Sequence, residues 1–191
     1  MKVIFLDHDG VICLFDNYGS SFKKRKGYSG ITNIRDIDIN KRFDDFDQES
    51  IRVLNEILVE TDVEIVVSSD WQDYANLEEL GEYYKAQGII KKPINTTRDN
   101  GPLNQLKYKN FPWHHNEELE QIRFLEITEW LERHPEVTHW VAVDDLHLGK
   151  IYKDYRGIVE RKWGLTNFVW TPRIREGIKQ TGIKERIIKY L

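Results

Sequence analysis

The sequence predicts an α/β protein built on a doubly wound, mostly parallel sheet. Short apolar runs, "VIFL", "VEIVV", "HWVAV" and "NFVWT", alternate with longer segments whose apolar residues recur at helical spacing. Three of these runs stop abruptly in polar residues: Asp7 and Asp9, Ser68 and Ser69, Asp144 and Asp145. Strands alternating with helices imply βαβ units. In such sheets ligands bind beyond the carboxyl ends of the strands, near the point where the strand order reverses.

Val3 to Leu6 reads as a fully buried strand, continuous, partly β-branched and ended by Asp and Gly. Residues 14–46 are polar, aromatic and glycine-dotted without periodicity, and read as an extended excursion such as a hairpin. Asp47 caps a helix running to about Glu60, with Ile51, Leu54 and Leu58 on one face. Val63 to Val67 is the second buried strand. A helix over about 75–87 follows, with Leu77, Leu80 and Tyr84 inward and Gly88 after its end. "GIIKKPINTT" (88–97) suggests a short strand and loop, and residues 98–116 look irregular. Leu119, Ile122, Phe124, Ile127, Trp130 and Leu131 mark a helix that stops near Pro135. Residues 139–143 and 167–171 are strands. Thr181 caps a last helix with Ile183, Ile187, Ile188 and Leu191 inward.

The 191 residues suffice for a single domain with its own core, spanning 1–191 with excursions at about 14–46 and 98–118. Apolar residues at 40% support a folded core. A charged fraction of 31% and a net charge of −4 argue against general coating of nucleic acid, while leaving local basic patches open. One cysteine, Cys13, forms no internal disulfide and favours a reducing compartment. No apolar run approaches the roughly 20 residues needed to span a bilayer. The chain enters a strand directly after Met1-Lys2, so the expected location is cytoplasmic, without a membrane partner.

The three strand ends resemble the motifs of the haloacid dehalogenase superfamily, which is mostly phosphatases and phosphotransferases. The first motif is an apolar strand followed by Asp-x-Asp-Gly-Val, matched by Asp7-His8-Asp9-Gly10-Val11. The second is a strand ending in Ser or Thr, matched by "EIVVSS" with Ser68, and the fourth a strand ending in paired acids, matched by "WVAVDD". The resemblance spans Met1 to about Asp145. The later "FVWT" strand and "TGIKERIIKYL" helix suit the small domains of this kind found in RNA-repair proteins. It implies a Rossmann-like fold; the excursions at 14–46 and 98–118 are each too short for a full cap domain, so an open site with short flap insertions is expected. The resemblance also implies a basic residue upstream of the fourth strand. Arg123 fits that place although the family residue is usually Lys; Lys107 and Lys109 are rivals.

Phosphoryl transfer needs an in-line nucleophile, charge neutralisation and an acid for the leaving group. A carboxylate serves as nucleophile by forming an aspartyl-phosphate. Asp7 ends a parallel strand and faces the crevice, and Asp9 follows by two on the same side. Close carboxylates push their pKa values apart, which separates Asp7 the nucleophile from Asp9 the acid. Gly10 lets the backbone turn tightly and bring amides to the phosphate. The Ser68 hydroxyl donates to a phosphoryl oxygen, a role Ser69 fills equally well. Asp7, Asp9 and Asp144 beside a phosphate dianion demand a cation, and oxygen ligands suit Mg²⁺. The expected ligands are Asp7, the Asp9 carbonyl and Asp144, with Asp145 binding through water.

Other features have plainer readings. His8 points away from its acidic neighbours and packs, as Trp71 does. His114-His115 lack a third ligand at a useful spacing. "KKRK" (23–26) reads as a solvated loop, and "KYKNFPWHH" (107–115) as a loop packed by its rings or as a single-strand-binding surface. The expected function is a Mg²⁺-dependent phosphatase acting on a phosphorylated substrate, with nucleic-acid or nucleotide ends favoured by an open site. A small-molecule phosphomonoesterase and a non-catalytic phosphate-binding module stay open. A dehalogenase is disfavoured, because it needs neither Asp9 nor the acidic pair.

Overall fold

The computed structural model describes residues 1–14, 37–98, 116–149 and 164–191, with side chains from residue 119 onward in the third stretch. Five parallel strands form one sheet: β1 (Lys2–Leu6), β2 (Glu64–Val67), β3 (Asn95–Thr96), β4 (His139–Asp144) and β5 (Phe168–Trp170), in the order β3-β2-β1-β4-β5. The chain moves outward from β1 to β2 and β3, then returns to the other side of β1 for β4 and β5. The order therefore reverses between β1 and β4. This is the Rossmann-like α/β architecture that the alternating runs predict.

Side chains alternate along each strand and so sort onto two faces. Ile4, Leu6, Ile65, Val67, Val141, Val143 and Val169 join one core. Against it pack the helices α2 (Gln48–Thr61), α3 (Leu77–Gln87) and α5 (Ile183–Ile188), preceded in the chain by the short α1 (Ile39–Arg42). Val3, Phe5, Val66, Ala142 and Phe168 face the other way. They meet Ile127 and Trp130 of α4 (Asn116–Arg133), and Trp130 packs edge-on to Phe5 at 5.3 Å. Burial on both faces explains why the strands read as unbroken apolar runs rather than alternating ones.

The helix ends follow local chemistry. The Asp47 carboxylate accepts from Ser50 N at 2.8 Å and pairs with Lys179 at 2.9 Å, closing the first turn of α2. Asn76 and Glu79 form a reciprocal capping box on α3, and Gly88 ends that helix at φ 95°. No helix among the described residues is long and apolar enough to cross a membrane.

Several details differ from the sequence reading. Much of the first excursion, most of 98–116, Lys107, Lys109, "KKRK", "KYKNFPWHH" and His114-His115 lie outside the described residues. The described end of the first excursion is not extended. It holds α1, capped by Asp38, and it buries Phe43 and Phe46 in the core. A four-residue helix carries too few positions to show a period. α3 starts at Leu77 and buries Tyr83 beside Leu80 and Tyr84, while Leu77 stays half-buried. Leu119 is exposed, while Glu120 beside it on α4 is buried, so this end of the helix turns a charged side chain rather than the leucine inward. Thr181 does not cap the last helix. Gly182 holds that position at φ 83°, with no side-chain cap.

Candidate active site

The sheet's carboxyl edge carries the ladder one residue past the strands. Asp7 N donates to Val143 O at 3.1 Å, and Ser68 N donates to Leu6 O at 3.0 Å. Asp7 and Ser68 thus keep strand-like positions, and Asp144 closes β4. By alternation they share the face of Phe5, Val66 and Ala142, which is the face covered by α4. Arg123 arrives there from α4.

Arg123 is buried, and its guanidinium is the hub. Nη1 donates to Asp7 Oδ1 and to Asp144 Oδ2, each at 3.1 Å, and to the Ser68 carbonyl. Nη2 donates to Asp70 Oδ1 at 3.2 Å. Burial works against its charge, but Asp144, Asp7 and Asp70 outweigh that and hold the cation fixed. Asp70 in turn accepts from Arg98 Nη2 at 2.9 Å, and Arg98 also pairs with Asp73 and Glu126. Burial alone would raise the Asp70 pKa, yet the two arginines hold it below its ordinary value. A chain of alternating charge therefore runs from Glu126 and Asp73 through Arg98, Asp70 and Arg123 to Asp7 and Asp144.

One arginine does not neutralise the cluster. Asp7, Asp144 and Asp145 place carboxylate oxygens within 4.8 Å of one another. Burial raises the Asp7 pKa in spite of Arg123 and a hydrogen bond from Ser69. Burial and then the Asp7 charge push Asp144 well above the usual carboxylate range and Asp145 up to about 7. Three crowded carboxyl groups that resist ionising in the protein alone are what a cation would relieve, and an all-oxygen donor set is that of a hard divalent ion. These residues fit a metal of that kind.

Asp9 stands half-buried beside the cluster, and Trp71 Nε1 donates to its Oδ2 at 3.2 Å. That indole is fully buried, stacked on Phe43 at 4.1 Å and near Phe46 at 5.3 Å, so the donor has little freedom. Ser68 Oγ is buried and makes no hydrogen bond among the described residues. Ser69 gives its hydroxyl to Asp7 instead. Gly10 provides room rather than a donor: its N–H goes to Cys13 O at 2.8 Å. Its φ is 73°, and a Cβ there would sit 2.6 Å from Asp145 Oδ2.

His8 points to the opposite face, fully buried among Phe46, Trp71 and Tyr84, with Nε2 paired to the Tyr84 hydroxyl. Burial, with Arg123 nearby, pushes its pKa down to about 3, so it stays neutral. Sequence reasoning missed Asp70, Arg98 and the indole of Trp71 as neighbours of the site. A signal existed for Arg98: it follows β3, so a fourth strand end feeds the same edge.

The sheet order and the acidic edge define a haloacid dehalogenase-type domain. The model of the family described as "HAD domain in Swiss Army Knife RNA repair proteins" matches residues 3–167, and the chain belongs to that family. Comparison with curated proteins and with solved structures gave no significant match.

Proposed function

We propose that the chain is a Mg²⁺-dependent phosphomonoesterase that forms an aspartyl-phosphate on Asp7 and acts on the terminal phosphate of a nucleic acid. The observation that carries this reading is the meeting of Asp7, Asp144, Asp145 and Arg123 where the strand order reverses. The family's description as an RNA-repair domain supports the substrate class.

In this reading the Asp7 carboxylate attacks phosphorus while the bond to the leaving oxygen breaks, and Asp9 gives that oxygen its proton. Trp71 donates to Oδ2 of Asp9, which orients the carboxyl beside the cluster. Asp9 then takes a proton from water as the water attacks the phosphoryl group, which frees Asp7 and releases phosphate. Arg123 opposes the charge that builds on the phosphoryl oxygens, and the unpartnered Ser68 hydroxyl donates to one of them. Asp7, Asp144, Asp145 and the Asp9 carbonyl would hold the Mg²⁺, which when bound supplies the positive charge that Arg123 alone does not. Lys107 and Lys109 would serve the substrate backbone. The same reading takes residues 1–191 as a single domain with flaps and an open crevice, in a cytoplasmic setting that suits the lone thiol of Cys13.

The test is turnover of a phosphorylated oligonucleotide and of an aryl phosphate, with and without Mg²⁺, over a range of salt. Both reactions should require the metal. Oligonucleotide turnover should fall more steeply with salt, because phosphate contacts release counterions. Equal salt dependence would leave a small-molecule phosphatase. No turnover of either substrate would leave a phosphate-binding module.

A further inference from the structure

Trp170 lies in line with the reactive groups. Asp144 and Trp170 are register partners across β4 and β5, and one step earlier Leu6 pairs with both Val67 and Val143, and Val143 with Val169. Continued one residue outward, that ladder gives a single row across the sheet edge: Ser68, Asp7, Asp144, Trp170. Trp170 has the parity of Phe168, so it stands on the α4 face with the other three. With strands about 4.8 Å apart, it lies two strands, roughly 10 Å, from the nucleophile's position.

Its ring is both exposed and held. Trp170 is 36% exposed, and it is the single aromatic among the exposed large apolar residues of the described chain. Its Nε1 donates to Asp145 O at 2.8 Å, which ties the indole to the acidic loop itself. The His147 ring packs against it at 4.5 Å, tilted by 51°. The ordinary role of a strand-end tryptophan is to cover core, and this one leaves more than a third of its surface in solvent. A fixed aromatic plane beside a phosphate site suits a nucleobase, because every base offers a π-face and stacking tolerates any sequence.

We infer that Trp170 is the stacking surface for the base of the nucleotide whose phosphate is presented to Asp7. This rests on the phosphatase reading above, and adds to it that the enzyme recognises the terminal base and not only the phosphate. The platform binds ground state and transition state alike, so its effect lies mainly in KM.

The experiment compares short oligoribonucleotides that differ only at the phosphorylated end, one carrying a normal terminal nucleotide and one an abasic terminal nucleotide. Both are assayed with wild type, Trp170→Leu and Trp170→Phe. Wild type should favour the base-bearing end by roughly tenfold in kcat/KM, carried by KM, as expected for one stacked base. Trp170→Phe should keep most of that preference, and Trp170→Leu should bring the ratio close to one. The ratio is internal to each variant, so a general loss of folded enzyme does not imitate the result. Turnover of both ends by wild type without preference, or an unchanged ratio in Trp170→Leu, would overturn the stacking role while leaving the phosphatase reading intact. Absence of wild-type turnover on every phosphorylated substrate would overturn both.

Discussion

Ser68 and Ser69 are adjacent, equally buried and chemically identical, yet the fold separates their roles. Ser69 is spent on Asp7, whereas Ser68 has a buried hydroxyl with no hydrogen bond among the described residues. An unsatisfied buried hydroxyl lowers stability, by about 1–3 kcal/mol where nothing compensates. Ser68→Ala should therefore melt at or slightly above the wild-type temperature while kcat/KM for phosphate ester hydrolysis drops at least tenfold. A drop in stability with activity unchanged, by thermal denaturation and steady-state assay, would place Ser68 in the scaffold. The sequence showed Asp7, Asp9, Ser68, Asp144 and Asp145 because each follows directly on an apolar run, which is a local signal. Arg123 was reachable only through the expected family layout, since nothing in its helix distinguishes it from a solvated charge. The Asp70–Arg98 pair spans 28 residues of sequence, and no periodicity reports a contact of that kind.

Among the elements, α2 depends most visibly on one residue. Asp47 caps it, accepts from the Ser50 hydroxyl as well as its amide, and pairs with Lys179 from the C-terminal region. Asp47→Ala should cost about 1–2 kcal/mol, most of it from the lost cap, because a partly exposed ion pair adds little. Burial would raise the Asp47 pKa, but Lys179 and Ser50 hold it below the ordinary value. A carboxylate lowered in the folded state contributes stability above its unfolded pKa and loses it as pH falls through the lower folded value. The gap between wild type and Asp47→Ala, read from chemical denaturation, should thus be full near neutrality, begin to narrow below about pH 4 and keep narrowing as pH falls through the lower folded value. A gap that is no smaller at about pH 2 than near neutrality would contradict the ionised cap. Element existence was legible wherever a run was long and periodic, as in α2 and α4. It failed at α1, which is too short for a period, and at the last N-cap, where Gly182 adopts φ 83° and displaces Thr181.

For the whole molecule, the acidic edge links stability to pH and metal. Asp144 and Asp145 are raised in the folded protein, so the metal-free fold binds more protons than the unfolded chain between about pH 4 and 7. Their contribution is complete below the unfolded carboxylate pKa and is lost as pH rises through the folded values. Mg²⁺ held there, as proposed, would act in the opposite sense, since it would bind the ionised cluster of the folded state. The rise in melting temperature caused by millimolar Mg²⁺ should be small at pH 5 and large at pH 8, and Asp144→Ala should erase most of it. A shift of equal size at both pH values would separate metal binding from these carboxylates.

The central claim is that Asp7 takes the phosphoryl group onto its own carboxylate. On the proposed mechanism Asp9→Asn would lack the base that activates water, so with an aryl phosphate, whose leaving group needs little protonation, the covalent intermediate should accumulate. Mass spectrometry of that variant after mixing should show one added phosphoryl group on the peptide containing Asp7, labile to hydroxylamine as an acyl phosphate is. Asp7→Asn should neither carry the adduct nor turn over. A turning-over enzyme with no adduct in Asp9→Asn, together with activity surviving in Asp7→Asn, would contradict the account.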